Sequence, residues 1–456
     1  MQEINRDAQT IAAVATAVAP AQGGIAVIRL SGPQAQSAVK AVTRIPGLQL
    51  WESHRVLYGH VLAAESDERI DEVLVLLMLA PRSFTGEDVV EIHCHGGVIA
   101  VQRVLARVLD QPGVRRALPG EFSQRAVLNG RLDLTRAEAI SDLVAARSQR
   151  AAQLAMAGVD GGIQKRITAL RERLLDQLSE LEARVDFEED LPPLDGSALL
   201  EELQMVRCQL QQLVEDGQVG AALRQGLRVA LVGRPNVGKS SLLNRLSRRE
   251  RAIVTDRPGT TRDLLESEIV LEGVPITLLD TAGIRATTDA VEQLGIARSH
   301  DALDSADLVL LLFDLTEGWT AADQELCQRI PEEVPRLLVG NKADRPAMGA
   351  APSQPFVRVS ASTGAGEAEL VQAVLERCGA LTDGSLLLSL NQRQADLAQQ
   401  AADALASSAQ VAADGLPWDF WTIDLRQAIH SLGEITGEEL TESVLDRIFS
   451  RFCIGK

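Results

Sequence analysis

The residues best placed to do chemistry are Lys239 and Ser240, which end the string Gly233-Arg234-Pro235-Asn236-Val237-Gly238-Lys239-Ser240. The string fits G-x-x-x-x-G-K-[ST], in which two glycines let the backbone curl until successive N–H groups face phosphate oxygens. Lys239 would then place its charge on the β- and γ-phosphates, and the Ser240 hydroxyl would reach Mg²⁺. The context is the required one. The apolar run 227–232 reads as a buried strand, and residues 241–246 read as an amphipathic helix. The bare pattern arises by composition in on the order of one chain in a hundred of this length, so it needs company.

Two later strings supply it. Asp280-Thr281-Ala282-Gly283 follows the strand-like run 275–279; an aspartate there can hold Mg²⁺ through water, and a glycine N–H can meet the γ-phosphate. Asn341-Lys342-Ala343-Asp344 follows the apolar run 337–339. The Asp344 carboxylate can accept hydrogen bonds from guanine N1–H and its exocyclic amine, a donor pair that adenine lacks. Ser360-Ala361-Ser362, after the run 356–359, brings backbone N–H groups within reach of guanine O6. Each short string alone suits a strand-end turn. All three in this order and spacing leave chance below about one per cent, so the sequence specifies a guanine nucleotide-binding domain.

The elements that must position these residues are legible around them. Between about 217 and 378 strand-like runs (227–232, 264–271, 276–279, 308–313, 337–339, 356–359) alternate with helical spacing. That alternation predicts a mostly parallel sheet covered on both faces, with ligand at the carboxyl ends of the strands. Residues 1–118 read as mixed, with strands at 25–30, 56–63, 73–79 and 89–94 and a helix over 98–109. After Pro119-Gly120 the chain turns helical: 126–157 is rich in alanine and leucine, and Ile163, Ile167, Leu170, Leu174, Leu178, Leu181 and Val185 keep one helical face. A second long helix is predicted over 199–214. Helices resume from Asn391, at 392–410, 424–432 and 438–452, with Thr436 and Glu439 as a capping box for the last. Two helical regions flanking the nucleotide domain are most simply one helical domain into which it is inserted.

Composition narrows the class. The chain has 456 residues, 46% of them hydrophobic, with no apolar stretch near the about 18 residues a membrane span needs. Residues 1–6 show no basic region leading into an apolar core, so no secretory signal is expected. Five scattered cysteines (94, 208, 327, 378, 453) without C-x-x-C spacing point to reduced thiols in a cytoplasm rather than a zinc site or disulfide framework. The net charge of −18 falls entirely after residue 150, because residues 1–150 hold 16 Lys+Arg against 16 Asp+Glu. Seven arginines against four acids between 115 and 150 form a local excess, which suits either nucleic-acid contact or a solvated helix face.

The whole chain resembles the MnmE (TrmE) family of bacterial and organellar tRNA-modification GTPases. Five stretches carry the resemblance: Gly24-Ile-Ala-Val-Ile-Arg-Leu-Ser-Gly32, Ser83-Phe-Thr-Gly-Glu-Asp88, Pro119-Gly-Glu-Phe-Ser-Gln-Arg125 with Leu128-Asn-Gly-Arg-Leu-Asp133, Gly259-Thr-Thr-Arg-Asp263 and Phe452-Cys-Ile-Gly-Lys456. It implies an α/β and α+β multidomain protein, with a Ras-like P-loop GTPase domain inserted into a helical domain and an α+β folate-binding domain before them. The implied division is 1–118 for tetrahydrofolate binding and dimerisation, 119–216 and 379–456 for the two helical parts, and 217–378 for the GTPase domain. The implied activity is K⁺-stimulated GTP hydrolysis in a homodimer. With an FAD-dependent partner, MnmG (GidA), it would add an aminomethyl or carboxymethylaminomethyl group to C5 of the wobble uridine of certain tRNAs. The one-carbon unit would come from 5-formyl- or methylene-tetrahydrofolate.

Carried over residue by residue, the resemblance places folate at Arg29, Glu87, Arg131 and Lys456. Glu87 suits the donor edge of a pterin and the cations suit the glutamate tail; Arg29 and Glu87 equally suit a surface ion pair. The family has lysine where this chain has Arg131, which keeps the charge and changes its geometry. Cys453 is either an active thiol, as the family cysteine suggests, or an inert core residue. Around the nucleotide the resemblance adds Ser241 and the loop Thr255, Asp256, Arg257, Pro258, Gly259, Thr260 and Thr261. Thr261 would complete Mg²⁺ coordination with Ser240. Ile284 occupies the place where many Ras-like proteins carry a water-positioning glutamine. The family instead uses K⁺, here held by Asn236, the carbonyls of Thr255 and Arg257, and Thr260, beside Lys239. Glu292 matches the family's water-orienting glutamate, and it also suits a helix N-terminal acid. Two other classes fit parts of the pattern: a ribosome-assembly GTPase, and a folate-dependent aminomethyltransferase with a regulatory GTPase.

Overall fold

The computed structural model describes residues 9–20, 23–64, 66–187, 196–248, 266–280, 305–380, 388–414, 417–438 and 442–455. By packing, the chain divides into residues 1–141 with 436–456, and residues 142–435. Each unit has its own core.

The first unit is built on a seven-strand sheet. Strands β1 (Thr10–Val14), β2 (Ile25–Ser31), β3 (Thr43–Arg44), β4 (Val56–Leu62), β5 (Arg69–Met78), β6 (Val89–His95) and β7 (Val114–Arg116) lie in the order β3-β4-β5-β6-β2-β1-β7. Only β1 and β7 run parallel. The period of two in β2 sends Ala26, Ile28 and Leu30 to one face, where they share a core with α1 (Ala35–Val42) and α2 (Val98–Leu109). Both helices present apolar residues three and four apart, at 35, 38, 39 and 42 and at 101, 104, 105 and 108. The other face carries Arg29 and Ser31, in register with Glu91 and Val89 of β6 and with Ala13 and Ile11 of β1. There Phe122 of α3 (Glu121–Leu128) and Phe84 pack on Ile11 and Ala13. Leu134 and Ala137 of α4 (Leu134–Ala145) join Leu445 and Phe449 of the last helix, α13 (Glu442–Phe449), in a small core of their own.

The second unit contains α5 (Gln149–Val159), α6 (Gly162–Phe187) and α7 (Gly196–Gln225), then a six-strand sheet, then α11 (Gln392–Ala413) and α12 (Trp418–Thr436). The sheet comprises β8 (Leu227–Gly233), β9 (Glu266–Leu271), β10 (Val274–Asp280), β11 (Leu308–Asp314), β12 (Arg336–Asn341) and β13 (Phe356–Arg358), in the order β13-β12-β11-β8-β10-β9. All pairs are parallel except the β9–β10 hairpin. One face is covered by α8 (Lys239–Leu246), α10 (Glu367–Arg377) and the end of α7, the other by α9 (Ala321–Arg329) and its flanks. Apolar residues of α6, α7, α11 and α12 form one core, so helices from before and after the sheet belong to one helical body into which the α/β domain is inserted. Among the described residues no helix is long and apolar enough to cross a membrane.

The helical region expected over 126–157 is made of three helices, with Ser148 capping α5 through the Ala151 N–H at 3.2 Å. Two expectations are corrected. The helix expected to stop at 214 runs on to Gln225, across the expected domain boundary at 216. Its Gly220 is a site of close approach: a Cβ there would lie 1.6 Å from Ser389 Oγ. Thr436 does not cap the last helix. It ends α12, Gly437 follows with φ +94° as a helix stop, and α13 begins only at Glu442; Glu439 lies outside the described residues.

Candidate functional site

The first candidate site lies at the carboxyl ends of β8 and β12. β8 closes at Gly233 and α8 opens at Lys239, followed by Ser240 and Ser241. Between them Asn236 (φ +66°) and Gly238 (φ +99°) take left-handed backbone, which turns the loop back on itself. A Cβ at residue 238 would stand 2.2 Å from Asn341 Nδ2, so this close approach requires glycine. Lys239 Nζ lies across the loop and donates to the carbonyls of Gly233 at 2.6 Å and Arg234 at 2.9 Å. Val237 is buried and anchors the loop in the core.

The strings expected to read a base are tied to that loop by one side chain. Asn341, buried at the end of β12, donates from Nδ2 to the Val237 carbonyl (2.8 Å) and accepts the Ala361 N–H on Oδ1 (3.0 Å). Next to it Ala343 N–H bonds the Val359 carbonyl at 2.9 Å. Asp344 Oδ1 accepts the Ser360 hydroxyl at 2.6 Å, and Ser360 Oγ also meets Ser362 Oγ at 2.9 Å. The Ser360 hydrogen bond is the main reason the Asp344 carboxyl is held below the usual carboxylate range. An ionised carboxylate fixed by one oxygen is suited to accept donors from a base on the other. Lys342 (φ +66°) turns its ammonium onto Asp314 Oδ2 at 2.5 Å. Burial pushes the Asp314 carboxyl up, but Lys342 together with the Thr316 N–H (2.9 Å) and hydroxyl (2.7 Å) outweighs it and holds the group low.

Asp314 and Arg234 were not singled out from sequence. Arg234 leaves the phosphate loop to bond Asp323 Oδ1 (2.7 Å) and Glu317 Oε2 (2.9 Å), and the Asp323 hydrogen bond raises its already high pKa. Asp323 is fully buried and closes a capping box with Thr320 at the start of α9, a T-x-x-D pattern that was visible in the sequence. Asp280 ends β10 in register with Leu231 of β8; its side chain lies outside the described residues. So do Thr255, Asp256, Arg257, Pro258, Gly259, Thr260, Thr261, Thr281, Ala282, Gly283, Ile284, Glu292 and Lys456.

A second polar cluster sits on the N-terminal sheet, on the face away from α1 and α2. Glu87 accepts the Ser31 hydroxyl on Oε2 (2.6 Å) and Arg125 Nη1 on both oxygens (3.1 Å each). Ser31 Oγ also meets buried Thr85 Oγ1 at 2.7 Å. Arg29 and Glu87 do not pair with each other. Arg29 bonds Glu91 (2.8 Å) and the Gly455 carbonyl (3.3 Å), with its guanidinium 5.6 and 5.8 Å from the ring centres of Phe84 and Phe122. Arg131 reaches the Ser83 carbonyl at 3.4 Å. Thus Arg29 and Arg131 both bond the segment 83–91 that carries Glu87, and the residue before Lys456 is bonded to Arg29. Cys453 is exposed, in the turn after α13 rather than in a helix, and its carbonyl accepts the Gly120 N–H at 3.3 Å.

Arg125, missed from sequence as a chemical residue, links this cluster to buried Glu121 (3.2 Å). Glu121 takes Arg115 on both oxygens and the Leu118 N–H at 2.8 Å. Burial pushes the Glu121 carboxyl up, and those donors more than reverse it, so it too titrates low. Among the described residues no group of three His, Cys, Asp or Glu side chains has a metal-binding arrangement.

Two family models match this chain, one described as the GTP-binding protein TrmE N-terminus over residues 10–131 and one as the MnmE helical domain over residues 134–453. The chain is 89% identical over 460 residues to a protein of Synechococcus sp. (strain WH7803) named tRNA modification GTPase MnmE, covering 100% of both. It is 79% identical to the Synechococcus sp. (strain CC9311) protein of that name and 74% identical to the Prochlorococcus marinus (strain MIT 9303) one, covering 98% of this chain and of the relative in each case.

Proposed function

This chain belongs to the MnmE (TrmE) family of tRNA modification GTPases, and from that premise we propose that it hydrolyses GTP in the course of modifying tRNA. The observation that carries the reading is the Asn341 side chain, which joins the phosphate loop to both base-reading strings at 2.8 and 3.0 Å. Lys239 would turn from the loop carbonyls onto phosphate, and Asp344 would read the guanine amine and N1–H. Mg²⁺ would be held by Ser240 and Thr261, and K⁺ by Asn236, Thr255, Arg257 and Thr260; the described members, Ser240 and Asn236, offer the oxygen donors that hard cations take. When bound, these ions would supply positive charge beside the phosphates. Glu292 would orient the attacking water.

We further propose that the cluster around Glu87 takes a one-carbon tetrahydrofolate, 5-formyl or methylene. A carboxylate offers about four acceptor positions, so with Ser31 and Arg125 in place Glu87 can still accept from a pterin's donor edge. Arg29, Arg131 and Lys456 would face the glutamate tail, and Cys453 would lie close by as a reactive thiol. On this reading a cytoplasmic homodimer works with FAD-dependent MnmG (GidA) on C5 of the wobble uridine, adding an aminomethyl or carboxymethylaminomethyl group. The folate part would be 1–118, the helical part 119–225 with 379–456, and the GTPase part 226–378, its start moved from 217 because α7 continues to Gln225.

Nucleoside analysis of tRNA incubated with this protein, the flavoprotein, GTP, methylene-tetrahydrofolate as carbon source and ammonium or glycine as nitrogen source should show the aminomethyl or carboxymethylaminomethyl adduct at C5. Glu87→Ala should abolish the adduct and folate binding by calorimetry while GTP hydrolysis continues. Undiminished folate affinity in that variant would remove Glu87 from the site.

A further inference from the structure

The loop expected to meet guanine O6 is fastened from two sides. On one side Asn341 and Asp344 hold Ala361 and Ser360. On the other stands Arg245, in the last turn of α8, the helix that opens with Lys239 and Ser240. Its Nη1 donates to the Ser362 carbonyl at 3.3 Å, its Nη2 to the Thr363 carbonyl at 3.2 Å, and its Nε to Glu367 Oε2 at 3.0 Å. Glu367 opens α10 and is largely buried, so the guanidinium is braced against a fixed partner. Gly364 makes room for it: its φ is +89°, and a Cβ there would stand 2.0 Å from Arg245 Nη2.

A planar trans peptide cannot turn its carbonyl without turning the N–H on its far side. The two carbonyls that Arg245 holds belong to peptides whose N–H groups point back to Ser360, Thr363 N–H to Oγ at 3.2 Å and Gly364 N–H to the carbonyl at 2.8 Å. Both N–H groups are taken by Ser360, so Arg245 holds closed the 360–364 turn that carries the Ala361 and Ser362 donors. A planar fork with several donors can brace three acceptors at once, which a point-charge ammonium does less well.

We propose that Arg245 is a positioning residue for base specificity: from the helix that serves the phosphates, it holds the 360–364 loop in the shape that reads the purine 6-substituent. The inference rests on the assignment of Asp344 and this loop to the base pocket. Its test is equilibrium binding of GDP, inosine diphosphate and 6-thioguanosine diphosphate to the full chain. Inosine lacks only the amine read by Asp344, and 6-thioguanosine changes only the atom read by the loop. Arg245→Ala should lower the preference for GDP over its 6-thio analogue by up to about tenfold, the ceiling set by losing a charged donor, since Arg245 bonds the loop and not the ligand. The preference for GDP over inosine diphosphate should fall less, since Arg245 reaches Asp344 only through the Thr363 N–H on Ser360 Oγ, and Arg245→Lys should recover part of the first preference. The proposal is overturned by an unchanged 6-thio preference, by both preferences falling equally, or by lysine doing no better than alanine. An Asp344→Asn chain that keeps full GDP affinity would instead overturn the base-pocket assignment; loss of affinity there, with no effect at Arg245, would refute the role of Arg245 alone.

Discussion

Replacing Arg125 by methionine should unfasten the Glu87 cluster without emptying the space beneath it. The Arg125 side chain is 8% exposed and touches Glu87, Glu121 and the Gln9 carbonyl, the last at 3.0 Å. Methionine keeps much of the apolar stem, so little packing is lost. The two carboxylates are left in different states. Glu121 keeps Arg115 and the Leu118 N–H, whereas Glu87 keeps the Ser31 hydroxyl and the solvent that reaches its 21% exposed side chain. Removing one partner of a buried pair costs about 3–5 kcal/mol, and the exposure of Glu87 puts the expected loss near the lower end, about 3 kcal/mol. Hydrogen exchange of the full chain, read by mass spectrometry over β2 and β6, should then show protection falling about a hundredfold, since about 1.4 kcal/mol is tenfold. Protection over β8 and β11 should not change. Adding Glu87→Gln removes the stranded charge and should return about 1 kcal/mol or more. Protection falling less than about threefold, or a double variant no better protected than the single one, would refute the idea that Arg125 holds this network together.

Asp344→Asn should weaken GTP and favour xanthosine triphosphate, because the guanine amine loses its acceptor while xanthine offers a carbonyl to the new amide; unchanged GTP affinity would remove Asp344 from the pocket. Hydrolysis should run faster in K⁺ than in Na⁺ at equal ionic strength, and Asn236→Ala should erase most of that difference with little change in nucleotide affinity; equal wild-type rates with magnesium saturating would dismiss the cation site. The Asp314 carboxyl is held below its usual value, so its stabilising contribution is complete above the unfolded-state value of about 4 and fades as pH falls through the lower folded-state value. The stability gap between wild type and Asp314→Asn, from urea unfolding followed by circular dichroism, should therefore be widest near neutral pH and shrink as pH falls below about 5; a gap that widens on acidification would contradict the pairing with Lys342.

What could be read in the sequence was what a few neighbouring residues fix among themselves. β11 is buried at every position from Leu308 to Asp314, so it appears as an unbroken apolar run, and the parallel sheet could be foreseen from such runs. β1 could not: Thr-Ile-Ala-Ala-Val is rich in alanine, a poor strand former, and it is a strand because β2 and β7 flank it. Glycines show the limit most plainly. Gly437 stops a helix with φ +94°, whereas Gly220 sits inside one and leaves room for the Ser389 side chain. The residue is the same, and only the neighbours that the fold supplies decide between the two meanings. The arginines follow the same rule. Arg125 meets Glu87 38 positions away, Arg234 meets Asp323 89 positions away, and Arg245 meets Glu367 122 positions away, so no periodicity could announce them. Arg29 reaches Gly455 across 426 positions, and the sequence connected those ends only through likeness to a family. A phosphate loop is written in eight consecutive residues because its ligands are its own backbone N–H groups. The side chains that hold such a loop in place have no fixed address in the sequence, and are chosen by whichever strand ends the fold brings together.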